Sequence, residues 1–330
     1  MIALDRLCPD IASDLERVAC EIASIAASDY VPLSEAAACI AATSGKRLRP
    51  GLLLLSARAC GYSGPRCIMP AAVIEVLHGV SLVHDDVIDE ADTRRAAPAA
   101  RTLWGNKMAV LLGDHLLAGA FKRLTESGDT HLMQELATTA LEMCRGQIQE
   151  IVLAGPELTE AQYLEIVSAK TASLFAASCR LGAAMAAAGP MEQHALDSFG
   201  RRFGIAYQIA DDLLDLAGAP EQMGKPVARD LTQGQVTLPV IYALREGSAR
   251  QRAELIAGLN GGSHDLDLPH IRKLIADAGG LEYAVDRVHY YASDAIEQLD
   301  PLSPSPARDC LLTLARDGLA APIIAGGPAL

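Results

Sequence analysis

The run Cys67-Ile68-Met69-Pro70-Ala71-Ala72-Val73-Ile74-Glu75-Val76-Leu77-His78-Gly79-Val80-Ser81-Leu82-Val83-His84-Asp85-Asp86-Val87-Ile88-Asp89 is apolar on every side of a helical wheel and ends in carboxylates. A helix that is apolar all round must be surrounded by other elements. The stretch from Met191 to Leu216 has the same character and closes on Asp211-Asp212-Leu213-Leu214-Asp215. Breakers at Gly61-Tyr62-Ser63-Gly64-Pro65, Gly155-Pro156, Gly189-Pro190, Gly218-Ala219-Pro220, Gly261-Gly262-Ser263 and Gly279-Gly280 separate segments that read as helices of three turns or more. Hydrophobic residues form 50% of the 330, with aromatics only 4%, so the apolar content is largely Ala and Leu, which favours helix over strand. The expected class is all-α.

No Ser- or Pro-rich linker and no composition shift divides the chain, so residues 1–330 read as one domain. Its motif-bearing core covers about 45–240, and amphipathic helices over about 250–320 read as peripheral. A formal net charge of −13 excludes a general nucleic-acid surface, which needs basic stripes. The 8 cysteines are scattered without a Cys-x-x-Cys pair, as expected for reduced, mostly buried thiols in a cytoplasmic protein. No window of roughly 18 residues is free of charge, and the acidic N-terminus lacks a signal-peptide pattern, so the chain is not expected to be transmembrane.

The two aspartate clusters carry the chemistry. In each Asp-Asp-x-x-Asp, the first and fifth residues stack on one helix face and the second lies about 100° round, giving a carboxylate pair spaced for a shared cation. Their apolar neighbours make like charges costly, so a positive partner is required. Mg²⁺ suits the pattern, because it binds through one or two carboxylates together with substrate phosphates. Basic residues that match phosphate oxygens stand at Lys46, Arg47 and Arg49, at Arg94 and Arg95 in the loop after the first cluster, and at Lys170 and Lys225.

With these residues together the chain resembles the trans-polyprenyl diphosphate synthases of long-chain, octaprenyl or decaprenyl type, from Gly45 to about Pro239. The resemblance extends to Glu75-Val76-Leu77-His78, Leu112-Gly113-Asp114, Lys170-Thr171-Ala172, Tyr207-Gln208-Ile209 and Gly224-Lys225-Pro226. It implies a bundle of antiparallel helices of isoprenoid synthase type around a central active-site cavity. It also implies a homodimer, and two or three Mg²⁺ ions bound with substrate diphosphate. Asp85, Asp89 and Asp211 are then the direct metal ligands, with Asp86, Asp212 and Asp215 orienting waters or neighbouring groups. Lys46, Arg49, His78 and Arg95 would hold isopentenyl diphosphate. Arg94, Lys170, Thr171, Gln208 and Lys225 would hold an allylic prenyl diphosphate.

One departure stands out: Asp230-Leu231-Thr232-Gln233-Gly234-Gln235-Val236-Thr237 has Gln235 where the family has a lysine. A charged hydrogen bond contributes about 1.5–3 kcal/mol, so weaker allylic binding or slower ionisation is the expected cost. Behind Asp85 on the helix stand Ser81 and Val80, then Leu77, none of them aromatic, so nothing there blocks a growing chain. A long product is expected. Competing readings are a shorter-chain geranylgeranyl or farnesyl diphosphate synthase, a terpene cyclase, which lacks the second Asp-Asp-x-x-Asp, a metal phosphohydrolase built on His84 and Asp85, and a non-catalytic partner subunit of a heteromeric synthase, for which Gln235 is the hint.

Overall fold

The structure, a computed structural model, describes residues 8–30, 33–34, 47–94, 97–217, 229–260 and 267–326. It is helical nearly throughout. Helix α1 spans Ala12–Ala26, α2 Leu48–Ala59 and α3, the apolar run, Ile68–Ile88. A two-stranded antiparallel hairpin follows, pairing Thr93 with Pro98 and Arg94 with Ala97. Then come α4 (Ala100–Trp104), α5 (Asn106–Ser127), α6 (Thr130–Val152) and α7 (Glu160–Val167). A single π-helical turn, Ser168–Ala172, leads into α8 (Ser173–Met185) and α9 (Pro190–Ala217). The remainder is α10 (Arg229–Thr232), α11 (Leu238–Glu246), α12 (Ala249–Asn260), α13 (Leu268–Asp277), α14 (Gly280–Glu297) and α15 (Pro306–Gly326).

Local chemistry sets these boundaries. Pro190 opens α9, where its missing N–H costs nothing. Asp129 caps α6 by accepting from the Leu132 amide at 3.0 Å, and Thr159 with Gln162 forms a capping box on α7. Helix α3 is surrounded as its composition requires, packing against α1, α2 and α5. By length and hydropathy its span could cross a membrane, yet 67% of that apolar window is buried inside the protein.

Small residues let the central helices approach closely. A Cβ on Gly182 of α8 would sit 2.3 Å from the Leu53 carbonyl of α2, and one on Gly204 of α9 would sit 2.7 Å from Ala172 Cα. Helix α9 is thereby held between α8 and α14, and buried residues from Ile11 to Leu319 form one connected core. The second aspartate cluster is built on this core, and the first stands beside a smaller buried cluster of Val83, Ala100 and Ala109.

Cys8 and Cys310 are joined in a disulfide, which corrects the expectation of uniformly reduced thiols. The fold sets Cys8 beside α15, with a Cα–Cα distance of 6.3 Å across 302 residues, a proximity that cysteine spacing cannot reveal. Cys67 and Cys179 are free and buried, as expected.

Candidate active site

The first cluster ends a helix. Asp89 closes α3, and Glu90 takes a left-handed conformation (φ 50°) that lets the Ala91 amide return to the Asp86 carbonyl at 2.9 Å. A non-glycine residue held there costs of order 1 kcal/mol, and the reversal it makes folds the hairpin back over the helix end. Arg94 consequently reaches Asp86, its Nε lying 2.8 and 2.9 Å from the two carboxylate oxygens. Asp86 is buried and its carboxylate is committed to this pair. Asp85 and Asp89 remain half-buried on the accessible side. The Asp85 carboxyl is pushed up to about 6, chiefly by burial; Lys170 opposes the rise, Asp89 and Glu150 add to it, and Arg94 opposes it.

The second cluster lies near the end of α9. Asp212 is buried, and each oxygen accepts a hydrogen bond: Oδ2 from the Tyr163 hydroxyl at 2.6 Å and Oδ1 from Gln208 Nε2 at 2.7 Å. Thr171 Oγ1 donates to Gln208 Oε1 at 2.8 Å, which fixes the amide's orientation. Burial raises Asp212 well into the range where a proton competes, against the pull of these donors, and burial likewise raises Tyr163. Asp211 is exposed, and Asp215 accepts the Asp230 amide at 3.1 Å.

Lys170 pairs with Glu150 beside the first cluster. It rides on the π turn, whose backbone presses against α6 at Gly146; a Cβ there would lie 2.4 Å from the Lys170 amide nitrogen. Its ammonium donates to Glu150 Oε2 at 2.5 Å. Burial works against the Lys170 charge, but Glu150, Asp85 and Asp89 outweigh it and raise its pKa. Glu150 acts electrostatically on Asp85, Asp212 and Asp230, which places it between the first cluster and the second. A further tie crosses the gap: Gln233 Nε2 donates to the Asp89 carbonyl at 2.9 Å. Gly234 (φ 71°) makes the turn from α10 that Gln235 closes, its amide bonding to the Asp230 carbonyl at 2.8 Å.

Other predicted site residues fall around this centre. Arg49, in the first turn of α2, places its guanidinium over the Phe175 ring, 4.2 Å from the centroid. His78 is half-buried, and its carbonyl accepts from Ser81 Oγ at 2.9 Å. Val80 and Leu77 are buried, whereas Ser81 keeps partial exposure one turn behind Asp85. Lys46, Arg95 and Lys225 lie outside the described residues. His84 turns away from the cluster toward α5, its Nε2 lying 3.3 Å from the Val110 carbonyl, which removes the basis of the phosphohydrolase reading.

Sequence reasoning missed Glu150, Tyr163 and Gly146. A glycine inside the helical run of α6 was a usable signal, since such a residue commonly marks close packing. Nothing in the local pattern distinguished Tyr163 from a core tyrosine. Among the described residues no three His, Cys, Asp or Glu groups converge into a metal cage. Open carboxylate pairs are nevertheless the donor set that suits Mg²⁺, which keeps waters and takes phosphate oxygens.

The chain matches the polyprenyl synthetase family across residues 31–275. It belongs to that family. It is accordingly a prenyltransferase that makes isoprenyl diphosphates. Heptaprenyl diphosphate synthase component 2 of Geobacillus stearothermophilus is 38% identical over 309 residues, covering 92% of this chain and 95% of the relative. The short chain isoprenyl diphosphate synthase of Methanothermobacter thermautotrophicus is 36% identical, covering 87% of this chain and 90% of the relative. Among solved structures, a decaprenyl diphosphate synthase from Rhodobacter capsulatus superposes with a TM-score of 0.91 at 34% identity, covering 96% of this chain and 99% of that one. These family members' products differ in length, so membership alone does not set the length made here.

Proposed function

We propose that the chain condenses an allylic diphosphate, farnesyl or geranylgeranyl, with isopentenyl diphosphate to give a long-chain all-trans polyprenyl diphosphate, with Mg²⁺ required. The observation that carries this is the meeting of two carboxylate clusters around the Lys170–Glu150 pair. Asp85, Asp89 and Asp211 keep the accessible oxygens and would hold the metal, which supplies charge neutralisation to the leaving diphosphate. Lys170 and Arg94, with Lys225, would stabilise the same developing charge as the allylic carbon–oxygen bond breaks. Arg49 and His78, with Lys46 and Arg95, would hold isopentenyl diphosphate so that its double bond attacks the allylic cation. The departing diphosphate takes the proton that restores the alkene.

The half-exposed Ser81 and the absence of an aromatic residue at Val80, Ser81 and Leu77 support a long product. Large exposed apolar side chains concentrate on α5 and α6, among them Leu111, Phe121, Leu141, Ile148 and Ile151, and support a homodimer through that face. Incubation with Mg²⁺, labelled isopentenyl diphosphate and farnesyl diphosphate, followed by sizing of the products with and without EDTA, tests the reading. Metal-dependent long chains are expected; short chains would refute the length argument. Gln235, and a relative named as one component of a synthase, support a second reading as a subunit of a heteromer. No product alone, but stimulation of a partner, would favour that reading.

A further inference from the structure

We infer that Tyr163, which lies outside both aspartate clusters, is a positioning residue that holds the second cluster in register with the segment carrying Lys170. This rests on the reading that the second cluster and Lys170 receive the allylic diphosphate with its metal. Tyr163 is 5% exposed on α7, and its hydroxyl donates to Asp212 Oδ2 at 2.6 Å. The other oxygen of that carboxylate is taken by Gln208 Nε2 at 2.7 Å, and Gln208 Oε1 by Thr171 Oγ1 at 2.8 Å. Each group has one role in this chain: two hydroxyls and an amide N–H donate, and an amide oxygen and a carboxylate accept.

Tyr163 and Thr171 bracket Lys170 in sequence, and both reach α9, one directly and one through Gln208. The π turn that carries both Lys170 and Thr171 would otherwise allow the lysine segment to slide against α9, because its hydrogen bonding departs from that of an α-helix. Asp212 stands between Asp211 and Asp215, so fixing its side chain fixes the direction in which its neighbours present their oxygens. Removing the phenol hydroxyl leaves an oxygen of a buried carboxylate without its donor, and the carboxylate gains by turning toward the accessible side beside Asp211. The metal-binding arrangement is then lost without removal of any ligand.

The test uses Tyr163→Phe in the full chain, alone and on an Asp212→Asn background. Calorimetric titration with Mg²⁺ and inorganic diphosphate reads binding, and steady-state kinetics with farnesyl and isopentenyl diphosphates reads turnover. Tyr163→Phe is expected to weaken Mg²⁺–diphosphate binding and to lower kcat by about tenfold each, as for loss of one hydrogen bond to a charged group. The KM for isopentenyl diphosphate should stay within about twofold, because that subsite has no part in the network. On the Asp212→Asn background the same change should have no effect beyond about twofold, since the hydroxyl acts only through that carboxylate. Unchanged binding and kcat in Tyr163→Phe would overturn the inference, as would a full tenfold loss on the Asp212→Asn background. If Tyr163→Phe alone does not fold, the comparison on that background decides. A wild-type protein that neither binds Mg²⁺–diphosphate nor turns over would instead overturn the functional reading on which the inference stands.

Discussion

The two aspartate clusters share one motif and differ in how the protein neutralises it. In the first, the buried middle residue Asp86 meets a guanidinium, Arg94, delivered by a hairpin that follows directly in sequence. In the second, the buried middle residue Asp212 meets neutral donors, Tyr163 and Gln208. A cation cancels charge, whereas neutral hydrogen bonds only solvate it. The first cluster is therefore partly compensated by its own cation, whereas burial leaves a proton competing for Asp212 and makes the second cluster depend more on what binds there. In both, the middle carboxylate is engaged by the protein; Asp215 also accepts the Asp230 amide, and Asp85, Asp89 and Asp211 are the carboxylates proposed to hold the metal.

Replacing an accessible carboxylate should cost most. Asp85→Asn and Asp211→Asn are each expected to lower kcat by about 10³ in product assays, as for loss of metal-mediated charge stabilisation. Equal losses at Asp86 or Asp212, with binding of Mg²⁺–diphosphate lost as completely, would erase the distinction drawn between outer and middle positions. Arg94→Leu strands the buried Asp86 charge and should destabilise the fold by about 3 kcal/mol in urea titration. The double change Arg94→Leu with Asp86→Leu should recover most of that, because an apolar pair carries no desolvation cost. Gly146→Ala should cost about 1–3 kcal/mol by the same titration, since its Cβ meets the π-turn backbone, and should raise the KM for the allylic substrate.

The smallest effect concerns the thiols. Burial pushes Cys67 and Cys179 up to about 12, so alkylation at pH 8 should label the exposed Cys20 and Cys144 and leave those two unmodified. Peptide mass mapping would show it. Labelling of the buried pair should appear only as the pH nears their raised values or after unfolding.

Much of this was legible in the residues. The all-round apolar character of Ile68–Ile88 announced a central helix, whereas Pro190–Ala217 is exposed in its first turns and buried toward the aspartate cluster. Thr171 and Gln208, which the family resemblance singles out together with Lys170, hydrogen-bond to each other in the assembled site. What escaped was tertiary. The different partners of Asp86 and Asp212 depend on a backbone reversal at Glu90 and on where α7 docks, and identical motifs carry no trace of either. The Cys8–Cys310 disulfide is hidden for the same reason, with 302 residues between its ends.

The central claim is that Asp85, Asp89 and Asp211 bind the metal while the middle carboxylates, Asp86 and Asp212, hold the frame. Anomalous diffraction from crystals grown with Mn²⁺ and inorganic diphosphate tests it most directly. Peaks within coordination distance of Asp85, Asp89 and Asp211, with Asp86 still on Arg94 and Asp212 still on Tyr163, are the predicted result. Direct coordination by Asp86 or Asp212, with either partner displaced, would contradict it.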